Sequence, residues 1–151
     1  MNRTAQQGLW LEFQDSQVSG AQVQGDELRL VLSSAHVSGP AGGSAQAAGE
    51  MDGYLAPLAL HWRGARWQGE LALALGRLAE GELWMDGQRF LRLPLPYEGK
   101  AAVRARLAFA NGVVLEIQAD RLACPLSGNE IYTASYACWA GARRIGCAAG
   151  V

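Results

Sequence analysis

Apolar residues recur at every second position along most of this chain, and that period is the strongest constraint on its fold. Leu9, Leu11 and Phe13 alternate with Trp10, Glu12 and Gln14, and Leu28, Leu30 and Leu32 alternate with polar Glu27 and Arg29. The same rhythm returns at Leu58, Leu60 and Trp62, then at Trp67, Leu71, Leu73 and Leu75, and at Leu83 with Met85. It continues at Leu91, Leu93 and Leu95, at Val103, Ala105, Leu107 and Phe109, at Val113, Leu115 and Ile117, and at Leu122, Cys124 and Leu126. Successive side chains on a strand point to opposite faces, so this pattern describes strands with one face buried. No stretch before residue 130 keeps a helical period over three turns. A looser apolar stretch from Val18 to Val23 reads as a short strand between the first two stripes. The expected fold is therefore all-β, a single-domain antiparallel barrel or sandwich built mostly as a meander of hairpins.

Sidedness selects the turns. At Asn111-Gly112 a two-residue loop would set Leu107 against Glu116, mixing the two faces. A three-residue loop, Ala110 to Gly112 with Gly112 left-handed, pairs Leu107 with Leu115, Ala105 with Ile117 and Arg106 with Glu116. The same test favours a hairpin centred on Gly64-Ala65 that pairs Trp62 with Trp67 and Leu58 with Leu71. At Asp86-Gly87 it favours a three-residue loop, Asp86 to Gln88, that sets Leu83 against Leu91 and Glu82 against Arg92.

Residues 39–53 break the alternation with glycine, alanine and serine, and read as a mobile surface loop. Residues 1–139 are expected to form the domain, and residues 140–151 a poorly ordered, frayed tail. With 151 residues, half of them hydrophobic, one core can be built. The 13 basic and 14 acidic residues are interspersed, which argues against nucleic acid, whose binding rests on an excess of positive charge. Lys100 is the sole lysine among abundant Arg, Ala and Gly, the usage of a GC-rich bacterial genome. No run approaches the ~20 apolar residues of a membrane span. The N-terminus has no signal-like apolar core, and the cysteines are three in number (Cys124, Cys138, Cys147), so the expectation is a cytoplasmic protein with reduced thiols.

Catalytic constellations are scarce. Ser34 and His36, with Asp52 or Asp26 as the acid, are the elements of a nucleophilic triad without the strand-to-helix elbow that would present a serine. His61 sits opposite Leu60 and Trp62 and reads as a solvated strand histidine. The cysteine spacing suits no metal, and Cys124 alternates with Leu122 and Leu126 as a buried small hydrophobe. Glu80 and Glu82 share a strand face about 7 Å apart, the minimal requirement of a carboxylate-dependent hydrolase and equally the ordinary dress of an outer face. No phosphate loop or dinucleotide fingerprint is present, and no cofactor is expected.

The positive feature is aromatic. Trp10 and Trp84 lie opposite the leucine stripes of their own strands and face outward, with Arg89 and Arg92 nearby. Tryptophan and arginine are the residues that anchor protein interfaces. The expectation is a non-catalytic module that binds another protein or itself through Trp10, Trp84, Arg89 and Arg92. The alternative is a barrel holding a small apolar or nucleotide ligand.

Overall fold

The computed structural model describes residues 8–40 and 50–134. They form thirteen strands and one 3-10 turn, Leu71–Leu73, with no α-helix. The strands are β1 (Trp10–Gln24), β2 (Glu27–Pro40), β3 (Glu50–Ala56), β4 (Leu58–Arg63), β5 (Arg66–Gln68) and β6 (Gly76–Met85). They continue with β7 (Gln88–Phe90), β8 (Arg92–Pro94), β9 (Tyr97–Gly99), β10 (Val103–Phe109), β11 (Val114–Ala119), β12 (Arg121–Cys124) and β13 (Ile131–Ala134). Every pairing is antiparallel, and all thirteen belong to one sheet whose main path runs β5-β11-β10-β6-β1-β2-β4-β12-β9. The path has two ends, β5 and β9, and β3, β7, β8 and β13 pair along its flanks.

The alternating stripes supply the core. Leu11, Phe13, Leu28, Leu30, Leu32, Leu60, Trp62, Leu83, Leu107, Leu115 and Ile117 are almost wholly buried in one cluster. The interior is tight enough that a Cβ on Gly81 of β6 would lie 2.5 Å from Phe13 Cβ. Glycine there lets the β1 and β6 walls meet.

Two of the long strand pairs bend, and each bend changes which parity faces inward. In β1 the buried series passes from Leu11 and Phe13 to Ser16 and Val18; in β2 it passes from Leu28, Leu30 and Leu32 to Ala35 and Val37. The shift is a bulge: between Glu12↔His36 and Gln17↔Ser34, β1 advances five residues while β2 advances two. Asp15 takes up the left-handed conformation there, at φ 73. The looser stretch from Val18 to Val23 is the second half of β1 rather than a separate strand.

The second bend corrects the expected hairpin at Gly64-Ala65. Trp62 pairs with Leu122 and Trp67 with Ile117, so β4 and β5 run one after the other along β12 and β11. Register is kept throughout, from Leu122 opposite Trp62 to Gln118 opposite Arg66. Gly64 turns the backbone at φ 65, and Asp120 N–H donates to Arg63 O at 2.8 Å across the bend. Leu71 to Leu75 also depart from expectation: after β5 the chain makes the 3-10 turn, and Leu73 and Leu75 are exposed.

The Asn111-Gly112 hairpin has the expected register, with Leu107 opposite Leu115, Ala105 opposite Ile117 and Arg106 opposite Glu116. Gly112 N–H donates to Phe109 O at 2.9 Å, and Gly112 is left-handed at φ 95. The Asp86-Gly87 hairpin has the two-residue loop instead: Leu83 pairs with Phe90 and Trp84 with Arg89. Asp86 and Gly87 both have positive φ, 53 and 76, the backbone of the primed turn whose twist matches its strands. That energy outweighs perfect sidedness, and Leu91 is left exposed as the cost.

The ends of the expected 39–53 loop are strand, with Gly39 opposite Met51 and Ser38 opposite Asp52. Residues 41–49 and the expected tail at 140–151 lie outside the described residues, as do Cys138 and Cys147. No helix among the described residues is long and apolar enough to cross a membrane.

The β1 bulge would strand two backbone groups, and one buried hydroxyl satisfies both. Ser16 Oγ donates to Glu12 O and accepts from His36 N–H, each at 2.8 Å. Ser16→Ala removes the hydroxyl and leaves a part-buried donor and acceptor without it. The expected loss is about 1–3 kcal/mol in urea denaturation. The exposed neighbour Ser33→Ala is expected to change stability by less than about 0.5 kcal/mol.

Candidate functional site

The outer face of the sheet carries the site candidates because the inner face is filled. Antiparallel register sets residues of neighbouring strands side by side, and one such row crosses four strands. Trp84 of β6 stands opposite Arg104 of β10, Arg104 opposite Gln118 of β11, and Gln118 opposite Arg66 of β5. The next row is Glu82, Arg106, Glu116 and Gln68. A groove of about 400 Å³ opens over these rows, bounded by Arg66, Trp84, Arg104, Arg106, Glu116 and Gln118.

Charge in the groove is unbalanced. Arg106 Nε lies 3.8 Å from Glu116 Oε2. Arg66 and Arg104 have no carboxylate partner among the described residues. The Arg104 guanidinium stacks over the Trp84 ring, 4.7 Å from its centroid. A cation–π contact of this kind uses the charge of the guanidinium and commits none of its N–H groups to a carboxylate.

The four residues singled out from sequence fall into two separate groups. Trp84 and Arg89 are cross-strand neighbours, and Arg89 Nε donates to Glu82 Oε1, which takes Arg89 out of the groove's charge balance. Trp10 and Arg92 meet on the outer face of β1 and β8, with the guanidinium 4.5 Å above the ring. There Arg92 Nη1 lies 3.4 Å from Glu12 Oε2, and Glu12 also accepts from Ser38 Oγ. The Trp10 cluster is thus closed on itself. Sequence reading missed Arg66 and Arg104. The register at Asn111-Gly112 already sets Arg104 beside Gln118, but the pairings that bring Trp84 and Arg66 alongside are long-range.

Both histidines and Glu82 are engaged structurally. His36 has both ring nitrogens facing acceptors, Nε2 at 2.8 Å from Asp52 Oδ1 and Nδ1 at 3.0 Å from Gln14 O. Neither nitrogen is offered to a serine. His61 Nδ1 lies 2.8 Å from Glu27 Oε2 on the outer face. Glu82 holds Arg89, while Glu80 is exposed. Among the described residues no group of three or more His, Cys, Asp or Glu could hold a metal ion.

No family model matches the chain, and neither a curated protein nor a solved structure is significantly similar to it.

Cys124 is buried in the core. Burial, with a smaller contribution from the negative charge of Glu130, pushes its thiol up to about 12. The thiolate is the reactive form, so this cysteine is held unreactive at neutral pH. Iodoacetamide at pH 8 is expected to leave Cys124 unmodified in the folded protein and to alkylate it after denaturation, as read by peptide mass mapping. Stoichiometric labelling under native conditions would contradict the assignment.

Proposed function

We propose that this protein is a non-catalytic, cytoplasmic interaction module that docks another protein, or a second copy of itself, on the groove around Trp84. The observation that carries the reading is a half-buried outward tryptophan, with an arginine over its ring, beside a groove with two guanidinium groups that have no carboxylate partner among the described residues. Such a surface combines a large apolar area with strong, directional donors, the combination found at the energetic centres of interfaces. The groove lies on the outer face of a sheet, which suits the surface of a macromolecule better than an enclosed ligand. A ligand held inside the fold gains no support, since that space is taken by Phe13, Trp62 and the leucines around them. A hydrolase built on Glu80 and Glu82 gains none either, because Glu82 is committed to Arg89.

The architecture behind the groove is read as a barrel. β5 follows β4 across the bend, so the path from β4 through β2, β1, β6, β10 and β11 ends on β5, the chain's next strand after the one on which it began, without closing the sheet. That return supports a wrapped barrel over a two-layer sandwich.

Trp84→Ala is expected to weaken association at least about tenfold, the scale of a hot-spot residue, while far-UV circular dichroism and the thermal midpoint stay close to wild type. Trp10→Ala, at the self-satisfied cluster, is expected to bind within about threefold of wild type. Light scattering after size exclusion measures self-association, and quantitative affinity capture from the source cells measures a partner. If both readouts are the same for Trp84→Ala, Trp84→Asp and wild type, the groove is not a docking surface.

A further inference from the structure

We infer that the partner presents an acidic segment to this groove, with a carboxylate held between Arg66 and Arg104 above Gln118 and an apolar side chain laid against Trp84. The inference rests on the interaction reading above and names the chemistry of what docks.

Neighbouring strands stand about 4.8 Å apart, so Arg66 and Arg104, with β11 between them, are about 10 Å apart at the backbone. Two arginine side chains can converge across that distance. Between them the row places Gln118, whose amide adds a further donor. Neither guanidinium is paired with a carboxylate among the described residues. Arg104 is also held in place by its contact with the Trp84 ring, so less side-chain freedom is lost when its N–H groups donate to a carboxylate. Trp84 lies one strand further along the same row and offers the apolar neighbour.

Charge at the edges of the groove selects a peptide carboxylate over a longer anion. Glu116 lines the groove itself, and Asp120 lines the shallow continuation that shares Arg66, Trp84, Arg104 and Gln118. A nucleic acid strand would carry phosphates past both acids, in a chain whose net charge is already −1. A peptide places one or two carboxylates where the arginines are and uncharged residues elsewhere. The row from Arg66 to Trp84 spans about 14 Å, close to four residues of extended chain. In such a chain an acidic residue and an apolar residue two positions apart share one face.

The experiment titrates the full-length protein with three probes and follows the Trp84 indole N–H and the Gln118 side-chain amide by NMR. The probes are an octapeptide of repeated Glu-Ser-Leu-Ser, the same peptide with glutamine for glutamate, and adenosine monophosphate. The expected result is a saturable shift of both signals with the acidic peptide, weakened about tenfold in Arg66→Gln and Arg104→Gln and weakened further by salt. Both arginines are exposed, so the variants are expected to fold. Equal shifts with the glutamine peptide, tighter binding of adenosine monophosphate, or indifference to both substitutions would each overturn the inference. A partner complex that needs Trp84 but ignores Arg66→Gln and added salt would overturn it too, while leaving the interaction reading intact. Indifference of the complex to Trp84 removes both.

Discussion

A strand with one buried face can turn a corner only if its hydrogen-bonded partner turns at the same place. Otherwise one of the two would send its apolar residues into water. Two such shared corners organise this protein. At the first, β1 takes up three extra residues against β2, and the buried parity changes in both strands within a few positions. At the second, β4–β5 and β11–β12 bend together without losing register. Leu122 and Cys124 then point inward with Trp62, as Leu115 and Ile117 do with Trp67. Without these corners the alternating stripes would define flat ribbons. With them, one face of one sheet becomes a common core.

The corners also explain which parts of the fold could be read from the residues. Sidedness fixed the Asn111-Gly112 register because both arms keep their parity up to the turn, leaving one pairing that separates apolar from polar residues. The same test failed at Gly64-Ala65. Trp62 and Trp67 are five residues apart, an odd step that a hairpin and a bend both require. What distinguishes them is the partner: the apolar series also changes parity between Ile117 and Leu122, the strand that lies opposite. A matched pair of parity changes was present in the sequence, and only long-range pairing gives it meaning. Asp86-Gly87 failed for a different reason. There local backbone energy favoured two left-handed residues in succession, and the cost was carried by Leu91 at the surface, where it is small.

The surface was legible to the same depth. Outward tryptophans follow from parity alone, and Trp10 and Trp84 are where parity puts them. Their neighbours do not follow, because a cross-strand neighbour is set by sheet order. Trp10 meets Arg92, Glu12 and Ser38, a group whose charges and hydrogen bonds are met internally. Trp84 meets Arg104, and beyond it Gln118 and Arg66, a group with donors to spare. Two tryptophans equivalent in sequence therefore differ in what they can offer a partner.

Uncompensated arginines on an outer face cost the fold little, since a guanidinium in water is already well solvated and an exposed ion pair would return at most about 1 kcal/mol. The hydroxyl of Ser16 is the opposite case, buried and bonded to two backbone groups at the bulge. Residues that shape the sheet and residues that equip its outer face are thus energetically separable. Arg66, Arg104 and Trp84 lie apart from Ser16 and from the β1 bulge. The same separation makes the proposed docking surface testable: substitutions confined to that row alter the outer face, while the inner face keeps the strands in place.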